Sequence, residues 1–177
     1  MLRIKTLVPT LAVMAALSAC GGGSSGGSTA NYATQLANLQ AGDILVFTPE
    51  PDLPTGSATY EGVASFNLGG SSSIAGYYGA LEVDVSFNAG TLTGQVTNLA
   101  DFNQDAVSGR VDITGGSLTG TNSGIGNGLT ASAGGTIDGN PVLMDVTGHF
   151  FGDNGEGIAL YFDEIGSLGG GVGLAAR

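Results

Sequence analysis

From Ala58 to Asp163 the chain alternates apolar and polar residues with a period of two, and glycine-containing breaks cut the alternation into short runs. Period two sends successive side chains to opposite faces of a strand, so a chain patterned this way folds as sheet. Leu81, Val83, Val85 and Phe87 face one way, and Glu82, Asp84 and Ser86 the other. Eight strand candidates follow: residues 58–67, 80–87, 91–99, 107–113, a short one at Leu118, 129–137, 142–151 and 157–163. Asn88-Ala89-Gly90, Gly115-Gly116 and Asp138-Gly139-Asn140 are hairpin signals between them. Residues 166–177 read as a loose glycine-rich tail. The chain holds 33 glycines in 177 residues, far above the usual ~7%. Outside one serine-rich run they are scattered among Val, Ile, Thr, Tyr and Phe, which marks turns and bends.

Evenly spaced antiparallel strands with short connections build an up-and-down barrel or a sandwich. Closure removes exposed edges. Glycines 62, 94, 109, 135 and 148 align with the apolar faces, as a narrow interior with sharp bends requires. The reading is therefore all-β: a soluble eight-stranded antiparallel up-and-down β-barrel. A barrel embedded in lipid needs an apolar outer wall ringed by aromatics. Here tryptophan is absent, and the faces opposite the apolar ones carry Glu61, Glu82, Asp84, Arg110, Asp112 and Asp145.

The N-terminus is of another kind. Arg3 and Lys5 precede an apolar stretch from Leu7 to Leu17, too short to span a bilayer but suited to a secretory signal. Leu17-Ser18-Ala19-Cys20 resembles the lipobox of bacterial lipoproteins. The resemblance implies cleavage before Cys20 and acylation of its sulfur, with the membrane as partner through that lipid. No aspartate follows Cys20, which by the same resemblance favours the outer membrane. The organisation is then a signal peptide (1–19), a lipidated cysteine with a Gly/Ser leash and linker (20–52), a barrel (53–165) and the tail (166–177). In the linker, Tyr32 to Leu39 suits a short helix, and Ile44-Leu45-Val46-Phe47 an apolar patch that docks on the barrel. Past Cys20 the only basic residues are Arg110 and Arg177, against fifteen acidic ones. Such a surface repels phosphate, which argues against nucleic acid as a partner. Cys20 is the only cysteine, so no internal disulfide forms.

Three separated segments resemble the barrel domain of the transferrin-binding protein B family. Leu53-Pro54-Thr55-Gly56-Ser57-Ala58-Thr59-Tyr60-Glu61-Gly62 is similar to that family's approach to the barrel. Gly79 to Phe87, followed by Leu92-Thr93-Gly94, resembles its second and third strands. Gly148-His149-Phe150-Phe151-Gly152-Asp153-Asn154-Gly155-Glu156-Gly157-Ile158 resembles its closing hairpin. Two positions depart from the pattern: Gly155, where alanine is common, and Ala159-Leu160, where a glycine pair is usual. The family also pairs each barrel with a handle domain, for which this chain has no room. The resemblance implies an outer-membrane lipoprotein at the surface of a Gram-negative bacterium. It would bind a host protein or an iron- or haem-carrying ligand, beside an outer-membrane transporter or translocator.

No catalytic constellation is evident, so the reading is a non-catalytic protein without a resident cofactor or metal. His149 is the only histidine, and the alternation places it outside the barrel. It is the candidate haem ligand, with Tyr77 or Tyr78 as the other; the tyrosine pair is also a candidate exposed contact for a partner. Asp101-Phe102-Asn103-Gln104-Asp105 spaces oxygen ligands like the start of a calcium loop. Ala106 replaces the required glycine, however, and residues 107–113 read as strand, so a solvated acidic loop is favoured. The functional expectation is a lipid-anchored surface binding protein. Its alternative is a structural or adhesive lipoprotein with no small-molecule ligand.

Overall fold

A computed structural model describes residues 31–41, 47–49, 52–70, 73–119, 128–166 and 169–177. The signal peptide, Cys20 and the Gly/Ser run lie outside the described residues, as do positions 44–46 of the apolar patch. One helix, α1 (Tyr32–Ala41), precedes eight strands: β1 (Ser57–Gly70), β2 (Ser73–Ser86), β3 (Thr91–Asp101), β4 (Gly109–Thr119), β5 (Gly128–Ile137), β6 (Asn140–Phe151), β7 (Gly157–Glu164) and β8 (Gly170–Ala176). Each strand pairs antiparallel with the next, and β8 returns to β1, closing an up-and-down barrel.

The period-two pattern fills the interior. Tyr60, Phe66, Leu81, Leu92, Ile113, Leu129, Met144, Phe150, Ile158, Leu160 and Phe162 are each almost wholly buried and form one cluster. Burying one such side chain contributes about 1.5–3 kcal/mol. Phe66 meets Phe162 edge-on with ring centroids 5.1 Å apart, and Phe150 touches both Tyr60 and Phe87. Outward positions carry Glu61, Glu82, Asp84, Asp112, Asp145 and Asp163, among serines and threonines. This is a wall for water rather than for hydrocarbon.

Three expectations need correction. The supposed tail is β8, the strand that closes the barrel. Its inward positions are Gly171, Gly173 and Ala175. A Cβ on Gly171 would run into the ring of Phe66, and one on Gly173 would crowd Leu81 and Phe162. Large side chains from neighbouring strands already occupy that volume, so β8 has no apolar stripe of its own. The short strand at Leu118 is the far half of β4, which passes through a bulge between Thr114 and Ser117. Gly115 sits there at φ +65°, a conformation that glycine adopts at low cost. And β2 begins at Ser73, seven residues ahead of the expected strand at 80–87, so that Tyr77 and Tyr78 lie within it.

The barrel has two rims. The upper one holds the approach to β1 (53–56), the β2–β3 turn (87–90), the β6–β7 turn (152–156) and Arg177. The lower one holds the β3–β4 connection (102–108), the β5–β6 turn (138–139) and the β7–β8 turn at Ile165 and Gly166.

Candidate interaction surface

Residues 31–41 and 47–49 of the linker are laid on the outside of the barrel. Asn31 caps α1, its Oδ1 accepting from the Thr34 amide at 3.0 Å. Tyr32 is buried against Val63 and Ala100, and its hydroxyl donates to the Asn98 carbonyl at 2.9 Å. Leu36 and Leu39 continue onto Phe151, Ala159 and Leu174. Residues Ala80, Val63, Leu174, Ala159 and His149 are successive partners across β2, β1, β8, β7 and β6. They form one outward-facing row, and α1 runs obliquely over most of it. The helix starts beside the end of β3 near the lower rim and ends beside β7 near the upper one. The alternation missed this surface. Its signal was present as apolar residues on the wrong face: Val63 and Leu174 are buried although they point outward.

Phe47 finishes the covering. It bridges to Phe151, and its ring stands edge-on to His149 with centroids 4.3 Å apart. Tyr161 also lies against the imidazole, with ring centroids 5.6 Å apart. The Thr48 amide donates to the Phe150 carbonyl at 3.1 Å, and its hydroxyl to the Gly152 carbonyl at 2.7 Å. The end of the expected docking patch thus does dock. His149 lies outside the barrel, as its parity requires, yet is only 9% exposed, and burial pulls its pKa below the ordinary value.

The tyrosine pair is not the exposed contact expected. Tyr77 points inward and belongs to the core. Tyr78 is half-buried, with its ring 4.9 Å from that of Phe102, and joins the cluster under α1. Nor do the three residues meet. Tyr77 and Tyr78 lie near the start of β2, on the lower side, and His149 lies near the upper end of β6, with three strands between them either way round. A haem ligand pair of His149 with either tyrosine is excluded by that placement.

In the Asp101 loop, the carboxylate serves the chain itself. It accepts from the amides of Asn103 at 2.8 Å and Asp105 at 3.0 Å and from the Asn103 side chain. These hydrogen bonds, that of Asp105 foremost, lower its pKa. Asp112 lies on β4 and pairs with Arg110 at 2.6 Å. Among the described residues no group of three His, Cys, Asp or Glu side chains is placed to hold a metal.

At the upper rim the β6–β7 turn is held from three sides. Besides Thr48, the Tyr60 hydroxyl donates to the Gly155 carbonyl at 2.7 Å, and Arg177 donates to the Asn154 carbonyl at 2.7 Å. Burial pushes the Tyr60 phenol up to about 12, against a small opposing effect of Arg177. Gly155 adopts φ +66°, and a Cβ there would press on Leu53, which accounts for glycine at a position where the family often has alanine. Two shallow depressions open at this rim. Phe47, Pro49, Asp52, Gly152, Asp153 and Asn154 line one; Ser57, Thr59, Asp84, Ser86, Thr91 and Thr93 contribute to the other. Rigid turns beside open hollows suit contact with another macromolecule.

Residues 53–177 match a family described as the C-lobe and N-lobe β-barrels of Tf-binding protein B. The match runs through β8 to the last residue, beyond the 53–165 carried by the three sequence segments. No curated protein matches the chain.

Proposed function

The chain belongs to the family of transferrin-binding protein B β-barrel domains, and from that membership we propose that it is a lipid-anchored surface lipoprotein that binds a macromolecular ligand. The ligand class is a host iron carrier such as transferrin, or a haem-carrying protein, held beside an outer-membrane transporter. The family is one of binding domains rather than enzymes. The observation that carries the reading is the match over 53–177 on a barrel whose interior is filled with side chains. Recognition then falls to the outer surface, and the upper rim, with its pinned turn and two hollows, is the contact region. His149 takes part in binding haem only if Phe47 first leaves it.

The test is retention of ligand by the purified full chain, immobilised and challenged in turn with iron-loaded transferrin, iron-free transferrin and haemoglobin. Saturable retention of one of these, weakened by Asp153→Arg at the upper rim, is expected. If none is retained, the binding reading fails and a structural or adhesive lipoprotein takes its place. Mass spectrometry of Cys20 checks the anchor separately.

A further inference from the structure

Among the described residues, five large hydrophobic side chains are exposed: Phe47, Phe102, Leu143, Tyr161 and Ile165. Phe47 and Tyr161 are accounted for by their contacts with His149. The other three, each about half exposed, belong to the lower rim. Phe102 begins the β3–β4 connection. Leu143 lies near the start of β6, and Ile165 follows β7, its amide donating to the Leu143 carbonyl at 2.9 Å. Phe102 also packs on Tyr78, with ring centroids 4.9 Å apart, yet half of it stays exposed on the same rim as Leu143 and Ile165.

The path of the linker supplies the partner. The described chain begins at Asn31, and Tyr32 is fastened to Asn98 and Ala100 close to the lower end of β3. Phe102, two residues past Ala100, is therefore near the point from which the N-terminal segment departs. Only residues 21–30 separate Asn31 from Cys20. A Gly/Ser chain of that length has a root-mean-square reach of roughly 18 Å. An eleven-residue strand tilted by about 40° gives the wall a height of roughly 28 Å. That mean reach is less than the barrel's height, although the segment fully extended would span up to roughly 35 Å, so the end nearest its origin is the end held closer to the membrane.

We propose that the lower rim rests on the lipid surface, with Phe102, Leu143 and Ile165 entering the headgroup layer and the upper rim directed away from it. The inference rests on the lipid anchor at Cys20. Asp101, Asp105, Asp138 and Glu164 lie around the same rim, and anionic headgroups repel such charges. The surface it fits is zwitterionic.

The chain has no tryptophan, so single-tryptophan reporters are unambiguous. F102W, I165W and A89W, the last in the upper β2–β3 turn, are made in the full chain, purified from membranes and reconstituted into phosphatidylcholine vesicles. Blue-shifted emission that brominated phosphatidylcholine quenches is expected for F102W and I165W, with A89W unchanged. Phosphatidylglycerol vesicles should reduce the shift. Quenching of A89W with silent lower-rim reporters, in protein whose mass shows acylated Cys20, overturns the orientation alone. An unmodified Cys20 overturns the anchor and the orientation with it. A blue shift without vesicles, accompanied by a doubled mass in light scattering, assigns the rim to a second copy and overturns the proposal.

Discussion

Replacing Phe47 with alanine tests how the linker is held. Phe47 is 38% exposed, so more than half of its ring is covered. Roughly 100 Å² of apolar surface at about 25 cal/mol per Å² contributes ~2.5 kcal/mol. Compact unfolded ensembles already bury some of that area, which brings the figure down towards ~2 kcal/mol. The edge-on contact with His149 adds about 0.5–1.5 kcal/mol. The sum is about 3 kcal/mol, or roughly a hundredfold in the equilibrium between docked and undocked linker. Two readouts follow. The Thr48 amide, bonded to the Phe150 carbonyl, should exchange with solvent roughly a hundredfold faster. His149, the only histidine, should titrate closer to 6.5, because the burial that disfavours its cation is relieved. The sign for stability follows from the same shift. Below 6.5 the unfolded chain takes up a proton that the folded one refuses, so stability is full above 6.5. It is lost as pH falls through the lowered folded value. In F47A that loss should shrink. Proton NMR of the imidazole measures the titration in both proteins. An unchanged midpoint, or an unchanged Thr48 exchange rate, refutes the claim that Phe47 seals His149.

Y60F should cost about 1–3 kcal/mol in denaturant unfolding, because the buried Gly155 carbonyl loses its donor; no change would mean that water replaces the hydroxyl. G62A should destabilise by about 1–3 kcal/mol or more, since its Cβ would overlap the Leu174 carbonyl across the β1–β8 seam; a neutral midpoint would contradict the closeness of that seam. A chain ending at Glu164 should lose cooperative unfolding and self-associate, as β1 and β7 become free edges. A sharp transition at the full-length midpoint would show that β8 is dispensable.

Most of the barrel was legible because its strands keep apolar residues on one parity. Leu81, Val83 and Val85 declare β2, and Met144, Val146 and Phe150 declare β6. The closing strand was hidden because its inner face is glycine, and the reason lies elsewhere in the chain: the Phe66 and Phe162 rings already fill that space. Local pattern carries no record of a neighbour's bulk. The expected count of eight strands was met with a different membership, since Leu118 joins β4 and residues 170–176 supply β8. Of the candidate residues, the parity of His149 was readable, but its cover was not. Phe47 is 102 positions away, and nothing near His149 announces it. Tyr77 and Tyr78 are adjacent, so one of the two had to turn inward, and their pairing as a joint surface contact overlooked the pleat.

The oblique helix has a mechanical consequence. Leu36 touches clusters on both sides of the seam where the first strand meets the last, so α1 behaves as a clasp across the joint. A tug arriving through residue 31 loads this clasp before it loads the hydrogen-bonded staves. Releasing residues 31–56 pays out up to roughly 85 Å of slack, while the barrel stays shut.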